Sequence, residues 1–228
     1  MHDLRILTLN CWSGRAEPAA IARLLTERSV DVACLQELAP RQATAVQEVL
    51  EFGKLEPTRG ADGLGIALRF PGDVAPVPLP SRQGLVTTLH TDAWPQLPAA
   101  LEIVNVHVQA PHARPWWALP LRRRQVGTLT EWLAGRPAPH RVLAGDLNST
   151  PLWPAYRTLT RMFTDAATSV AHANGSWPRR TWGPTPISPR LLRIDHVLTA
   201  GAGALECEVV PIEGGDHSGV LATLRLMD

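Results

Sequence analysis

"RVLAGDLNSTP", residues 141–151, passes from an apolar run into a glycine, a carboxylate, a carboxamide, a hydroxyl and a proline. Val142, Leu143 and Ala144 read as a buried strand, and Asp146 and Asn148 stand two positions apart where that strand ends. Strand alternation directs residues two apart to the same side, Gly145 allows close backbone approach to the site, and Pro151 stops the strand from continuing. A carboxylate at the end of a core strand costs stability unless it is paired. Its partners must come from elsewhere in the chain.

The same form recurs on both sides of this segment. "LRILTLN" (4–10), "VDVACLQE" (30–37), "GLGIALRF" (63–70), "LEIVNVHV" (101–108), "RIDHVLTA" (193–200) and "GVLATLRL" (219–226) read as further strands, the last two being the final strands of the chain. Between them, "EPAAIARLLTERS" (17–29) places Ile21, Leu24 and Leu25 at helical spacing, with Pro18 acceptable in a first turn. A second helix is expected from Pro40 to about Glu51, a third in "LPLRRRQVGTLTEWLAG" (119–135) and a short one in "PAYRTLTRM" (154–162). The Pro-rich stretch 71–80 reads as a surface connection and 171–190 as a Pro/Gly/Trp-rich loop. No repeat and no long linker divides the chain, so one α/β domain over residues 1–228 is expected.

Composition narrows the function. A formal charge of +1 supplies no global field to hold a long polyanion, so any phosphate recognition has to be local. Lys54 is the only lysine; arginine suits phosphate oxygens, though compositional bias explains the same fact. Cys11, Cys34 and Cys207 are few and scattered, which fits small core residues rather than a disulfide framework or a zinc site. No uncharged apolar run is long enough for a membrane span, and the N-terminus enters a strand without a signal-like core. The expectation is a cytoplasmic protein.

Polar residues that interrupt or end the apolar runs are Asn10, Glu37, His107, Asp146, Asn148, Asp195, Asp216 and His217. Singly each has a structural explanation: Asn10 caps a turn, Glu37 opens the next helix, His107 is a satisfied core histidine. Together they ask for a shared one. Glu37, Asp146 and Asp216 are hard oxygen ligands that would repel one another unless a cation neutralised them, which implies Mg²⁺ or Mn²⁺. The histidines and amides can donate to phosphate oxygens or orient an attacking water.

"TLNCW", "LQE", "NVHV", "GDLNSTP", "TW", "RIDHV" and "GDHSGV" resemble, in order and approximate spacing, the endonuclease/exonuclease/phosphatase superfamily with its deoxyribonuclease-I-like fold. The resemblance runs from residue 4 to about 225. It implies an α/β four-layer sandwich, two packed mixed β-sheets flanked by helices, with the site where loops of both sheets converge. It further implies Glu37 as principal metal ligand with Asn10 beside it and Asp216 on the ion or its waters. Asp146 corresponds to the family's water activator or ligand, and Asn148 to its contact with the scissile phosphate. His217 matches the final histidine, Asp195 its carboxylate partner, and His107 a histidine that touches the phosphate. Trp182, in "PRRTWGPTP", matches a hydrophobic residue near the substrate, and Arg180 is the neighbouring candidate for substrate contact.

The reaction so implied is in-line attack of water on a phosphoester with divalent-metal assistance. Ser149 and Ser218 lack the G-x-S-x-G setting of a nucleophile. Arg122 and Gln125 resemble an "RxxQ" pairing of the family and are taken as structural; "RRR" (122–124) spans too much of a helix to form one phosphate patch. "HARPWWALP" (112–120) is either an interfacial aromatic patch or, by preference, a packed loop. The expected protein is a monomeric phosphodiesterase acting on nucleic acid, DNA or RNA, without stable membrane association. The alternatives are a small phosphorylated metabolite or lipid headgroup as substrate, and a catalytically silent binding module.

Overall fold

Alternation along β1 (Leu4–Asn10) sets the architecture. Leu4 and Ile6 face one apolar cluster while Leu7 and Leu9 face another, so the strand is buried on both sides, as its continuous apolar run requires. The computed structural model describes residues 3–111 and 115–227. After β1 come α1 (Pro18–Glu27), β2 (Val32–Gln36), α2 (Pro40–Gln47), β3 (Phe52–Glu56) and β4 (Leu64–Leu68). The chain then builds β5 (Val74–Leu79), β6 (Arg82–Leu89), β7 (Leu101–His107), α3 (Pro115–Ala134) and β8 (Arg141–Asp146). α4 (Pro154–Leu159), β9 (Thr164–Asp165), α5 (Ala166–Ala173) and β10 (Asp195–Ala200) follow, before β11 (Ala202–Pro211) and β12 (Ser218–Leu226) return to the start.

Two six-stranded sheets result, ordered β11-β12-β1-β2-β4-β3 and β5-β6-β7-β8-β10-β9. Each has one parallel pair, β1 with β2 and β7 with β8, joined by crossovers that contain α1 and α3. Ile6, Cys34, Ile66, Leu85, Ile103 and Val197 fill the space between the sheets. Leu7, Leu25, Leu35 and Val46 pack α1 and α2 on the outside of the first sheet; Val104, Leu129, Leu143 and Tyr156 pack α3 and α4 on the outside of the second. These are the four layers expected. Truncating Ile66 or Ile103, both fully buried between the sheets, to alanine costs about 2–5 kcal/mol.

At one end of the gap the inward positions change from apolar to polar. The two-residue period that carries Ile6, Cys34, Ile103, Ala144 and Val197 inward also carries Asn10, Gln36, Asn105, His107, Asp146 and Asp195 inward. Gln36 and Asn105 form the boundary. Gln36 Nε2 donates to Asn105 Oδ1 at 2.7 Å, and Asn105 Nδ2 donates to the carbonyls of Leu35 (3.0 Å) and Gly65 (2.8 Å), which ties the two sheets together below the polar end.

Several expectations are corrected. Residues 71–80 are not a surface connection: Val74–Leu79 form β5. Pro76 and Pro78 are tolerated because β5 is an edge strand, bonded among the described residues only to β6. β3, β6, β9 and β11 also lie outside the expected strands, so β10 and β12 are not consecutive; β11 alternates poorly, is partly exposed and shifts register between Ala204 and Glu206. α3 starts a turn before residue 119, and α5 extends into the segment read as loop. Of "HARPWWALP", His112, Ala113 and Arg114 lie outside the described residues, and Trp116 and Trp117 are exposed on the first turn of α3 rather than packed in a loop. Cys11 and Cys34 are buried free thiols, as expected, and Cys207 is partly exposed. Among the described residues no helix is long and apolar enough to cross a membrane.

Candidate active site

Asp146 ends β8 at the centre of the polar end and is 1% exposed. Its Oδ2 accepts from Asn10 Nδ2 (3.0 Å) and Asn148 Nδ2 (3.2 Å), and its Oδ1 from the Asn148 backbone N–H (2.7 Å). Burial, and then the neighbouring Asp195, push its pKa up to about 7, against the pull of His217 and of the Asn148 and Asn10 hydrogen bonds. Strand alternation does not align Asp146 with Asn148, contrary to expectation. Asn148 lies beyond β8 at φ +47°, and this left-handed turn swings its amide back onto the carboxylate. Gly145, at φ +144°, serves the neighbouring strand rather than the site: a Cβ there would sit 1.9 Å from the Val106 carbonyl oxygen of β7.

Glu37 follows β2, also in a left-handed conformation (φ +50°). Non-glycine residues held there store strain, and here the turn brings Glu37 towards the gap. Its Oε1 accepts from Asn10 Nδ2 (3.1 Å) and its Oε2 from Ser13 Oγ (2.7 Å). Asn10 therefore bridges Glu37 and Asp146, while its Oδ1 accepts from the Trp12 backbone N–H at 2.9 Å.

His217 and Asp216 enter just before β12. His217 Nδ1 lies 2.9 Å from Asp195 Oδ2, and its Nε2 lies 3.9 Å from Asp146 Oδ2. Burial alone would lower its pKa; the Asp195 carboxylate, followed by Asp146 and Asp216, overrides this and raises it to about 9. Asp216 Oδ2 accepts from the Trp182 indole at 3.3 Å, while its Oδ1 is buried and has no hydrogen-bond partner among the described residues. An unpaired buried carboxylate oxygen calls for a counter-charge. His107, the last residue of β7, points Nε2 at Asp146 Oδ2 (3.6 Å) and Glu37 Oε1 (3.9 Å). Burial, then the Arg82 guanidinium and His217, hold it well below the ordinary imidazole range.

Ligand atoms of Asp146, Asp195 and His217 lie within 4.8 Å of one another. Of these, His217 Nδ1 is committed to Asp195, and its raised pKa keeps the ring protonated at neutral pH, which makes it a poor ligand. The unpartnered Asp216 oxygen and the partly exposed Glu37 better fit a hard divalent cation.

Nine of the ten residues expected at the site meet around this gap. Arg180 does not: it is exposed, and among the described residues no hydrogen bond or ion pair ties it to the others. Sequence reasoning missed several that brace the site. Ser13 holds Glu37; Thr181 Oγ1 accepts from the Asp195 backbone N–H (3.3 Å); Arg190 donates to Ser218 Oγ (3.0 Å) and the Gly215 carbonyl (2.9 Å). Arg122 donates to the Asn148 carbonyl at 2.9 Å, and Gln125 bonds Gln109 and Pro80, so the "RxxQ" pair is structural, as expected.

Facing carboxylates with one oxygen left over and a histidine backed by an acid, at the mouth of two packed mixed sheets, place the protein among the metal-dependent phosphoric ester hydrolases. The chain belongs to the Endonuclease/Exonuclease/phosphatase family, whose model matches residues 7–218. Among curated proteins, none matches by sequence. Among solved structures, the endonuclease/exonuclease/phosphatase from Bacteroides vulgatus is 18% identical, covering 99% of this chain and 100% of that one, with a TM-score of 0.76. The endonuclease/exonuclease/phosphatase from Beutenbergia cavernae is 21% identical over 100% of this chain and 72% of that one (TM-score 0.69). D. rerio TDP2, complexed with single strand DNA product, is 16% identical over 98% and 99% of the two chains (TM-score 0.74). These likenesses confirm the sandwich fold.

Proposed function

We propose that the protein is a Mg²⁺-dependent phosphodiesterase acting on nucleic acid, with single-stranded DNA as the favoured substrate. The observation that carries this is the buried Asp216 oxygen without a hydrogen-bond partner among the described residues, on a carboxylate near enough to Glu37 for the two charges to repel, with Asn10 linking Glu37 to Asp146. Glu37 and Asp216 would hold the cation, with Asn10 beside them. When bound, Mg²⁺ supplies polarisation of a non-bridging phosphate oxygen and stabilisation of the leaving alkoxide.

The chain's own groups divide the remaining work. Asp146, held by three hydrogen bonds and with its pKa near neutrality, takes the proton of the attacking water. His217, protonated through Asp195, donates from Nε2 to the phosphate as negative charge grows. His107 donates from the opposite sheet, and Asn148 positions the phosphate. Trp182, fixed by its indole N–H on Asp216, offers its ring for base stacking.

Single-stranded DNA is favoured because the TDP2 neighbour is complexed with a single-stranded DNA product. The second substrate class, a small phosphorylated metabolite or lipid headgroup, draws support from the net charge of +1, which gives no extended field for a polyanion. Parallel assays on single-stranded DNA, duplex DNA, RNA and an aryl phosphodiester, each with Mg²⁺, Mn²⁺ and EDTA, decide between them. Chelator-sensitive cleavage confined to single strands is expected; turnover of the small ester alone, insensitive to salt, would reverse the choice.

A further inference from the structure

Arg82 stands outside every motif that marks the site, yet it reaches into it. It opens β6 at the turn from β5, and its side chain is 13% exposed. Its Nη1 lies 2.6 Å from His107 Nδ1 and 3.4 Å from the Ala61 carbonyl oxygen, while Nε lies 3.7 Å from Asp62 Oδ1. A guanidinium stays protonated in proteins and only donates. The ring nitrogen facing it must therefore present a lone pair, which leaves the ring proton on Nε2. Nε2 is the atom directed at Asp146 and Glu37.

We propose that Arg82 is a positioning residue of this hydrolase: it fixes His107 in the Nε2–H tautomer and so aims a permanent hydrogen-bond donor at the substrate phosphate. A competing arrangement exists. With the proton on Nδ1, His107 would donate to the Ala61 carbonyl and turn the Nε2 lone pair towards two carboxylates, where it would repel them and any phosphate between them. Arg82 opposes this: its Nη1 stands within reach of both acceptors, 2.6 Å from Nδ1 and 3.4 Å from the Ala61 oxygen that would otherwise take the His107 proton. The consequence for the reaction rests on the role given to His107 above; the tautomer itself does not.

The test pairs Arg82→Met and Arg82→Gln with the conservative Arg82→Lys. Long-range ¹⁵N–¹H NMR of the imidazoles in the metal-free protein reads the tautomer without substrate. Wild type and Arg82→Lys are expected to show Nε2–H at His107, and the two neutral variants a population of Nδ1–H. With Mg²⁺ and an aryl phosphodiester, the neutral variants are expected to lose kcat by roughly a hundredfold, as for a misplaced reacting group, with KM little changed and partial rescue by lysine. Nδ1–H at His107 in the wild type, or neutral variants with unaltered tautomer and kcat, would overturn the proposal. A wild type with the expected tautomer shift on substitution but no phosphoester turnover would uphold Arg82's hold on the ring and overturn the assigned reaction instead.

Discussion

His217 and His107 approach the same oxygen from different sheets. His217 precedes β12 of the first sheet and His107 ends β7 of the second; both are at least 95% buried, with Nε2 at 3.9 and 3.6 Å from Asp146 Oδ2. Behind the rings the surroundings are opposite. His217 Nδ1 meets a carboxylate at 2.9 Å, His107 Nδ1 a guanidinium at 2.6 Å. One imidazole is driven to about pKa 9 and the other well below its ordinary value. The charge behind each ring, more than its distance to the site, decides what it does there.

The largest effect is expected from removing that charge. Asp195→Asn leaves His217 without an anionic partner, and kcat with saturating Mg²⁺ should fall by about 10²–10⁴-fold, the range typical of a lost acid–base group. A variant that kept most of the wild-type rate would show that the asymmetry has no catalytic meaning. Next comes Trp182→Phe, which keeps the ring but deletes the indole donor to Asp216. Mn²⁺ affinity by titration calorimetry should weaken by about 10–100-fold, as is usual for partners that orient a ligand. Unchanged affinity would move the cation away from Asp216.

Stability against pH tests the same contrast without substrate. The folded pKa of His217, about 9, lies above the ordinary 6.5, so its contribution is complete below 6.5 and is lost as pH rises through about 9. Asp146, raised from 3.8 to about 7, has the same sign: its contribution is present below 3.8 and is lost as pH rises through about 7. In EDTA, the Tm of the wild type should decline from neutral pH towards pH 9, and Asp195→Asn should flatten the upper part of that decline. A Tm rising over this interval would contradict the His217 shift, and one rising between pH 4 and 7 the Asp146 shift. The smallest effect is expected from Ser13→Ala, which removes one hydrogen bond from Glu37 and should cost about 0.5–1.5 kcal/mol in urea unfolding.

Asn10, His107, Asp146 and Asp195 were legible in the sequence because each continues the two-residue period of an apolar strand, so direction and burial followed from position alone. Arg82, Arg190 and Ser13 were not. Arg82 opens a strand that the sequence did not announce, Ser13 sits in a short helical turn and Arg190 in a loop, where no apolar period sets a side chain's direction. Glu37 and Asn148 fall between: their identity was readable, and asparagine tolerates the left-handed backbone that aims Asn148, but nothing local announced the same conformation at Glu37. β5 was hidden by prolines that would disqualify a central strand and are acceptable only at an edge.

The outermost strands carry a last consequence. β5 offers Pro76 and Pro78, β9 has two residues, β11 is broken by its register shift, and β3 carries the Lys54–Glu56 ion pair. None of the four borders presents a long, flat ladder of free amides on which a second molecule could template itself. Concentrated solutions of this hydrolase should therefore resist fibril growth by strand addition, with the prolines of β5 as the gatekeepers most worth removing to see it begin.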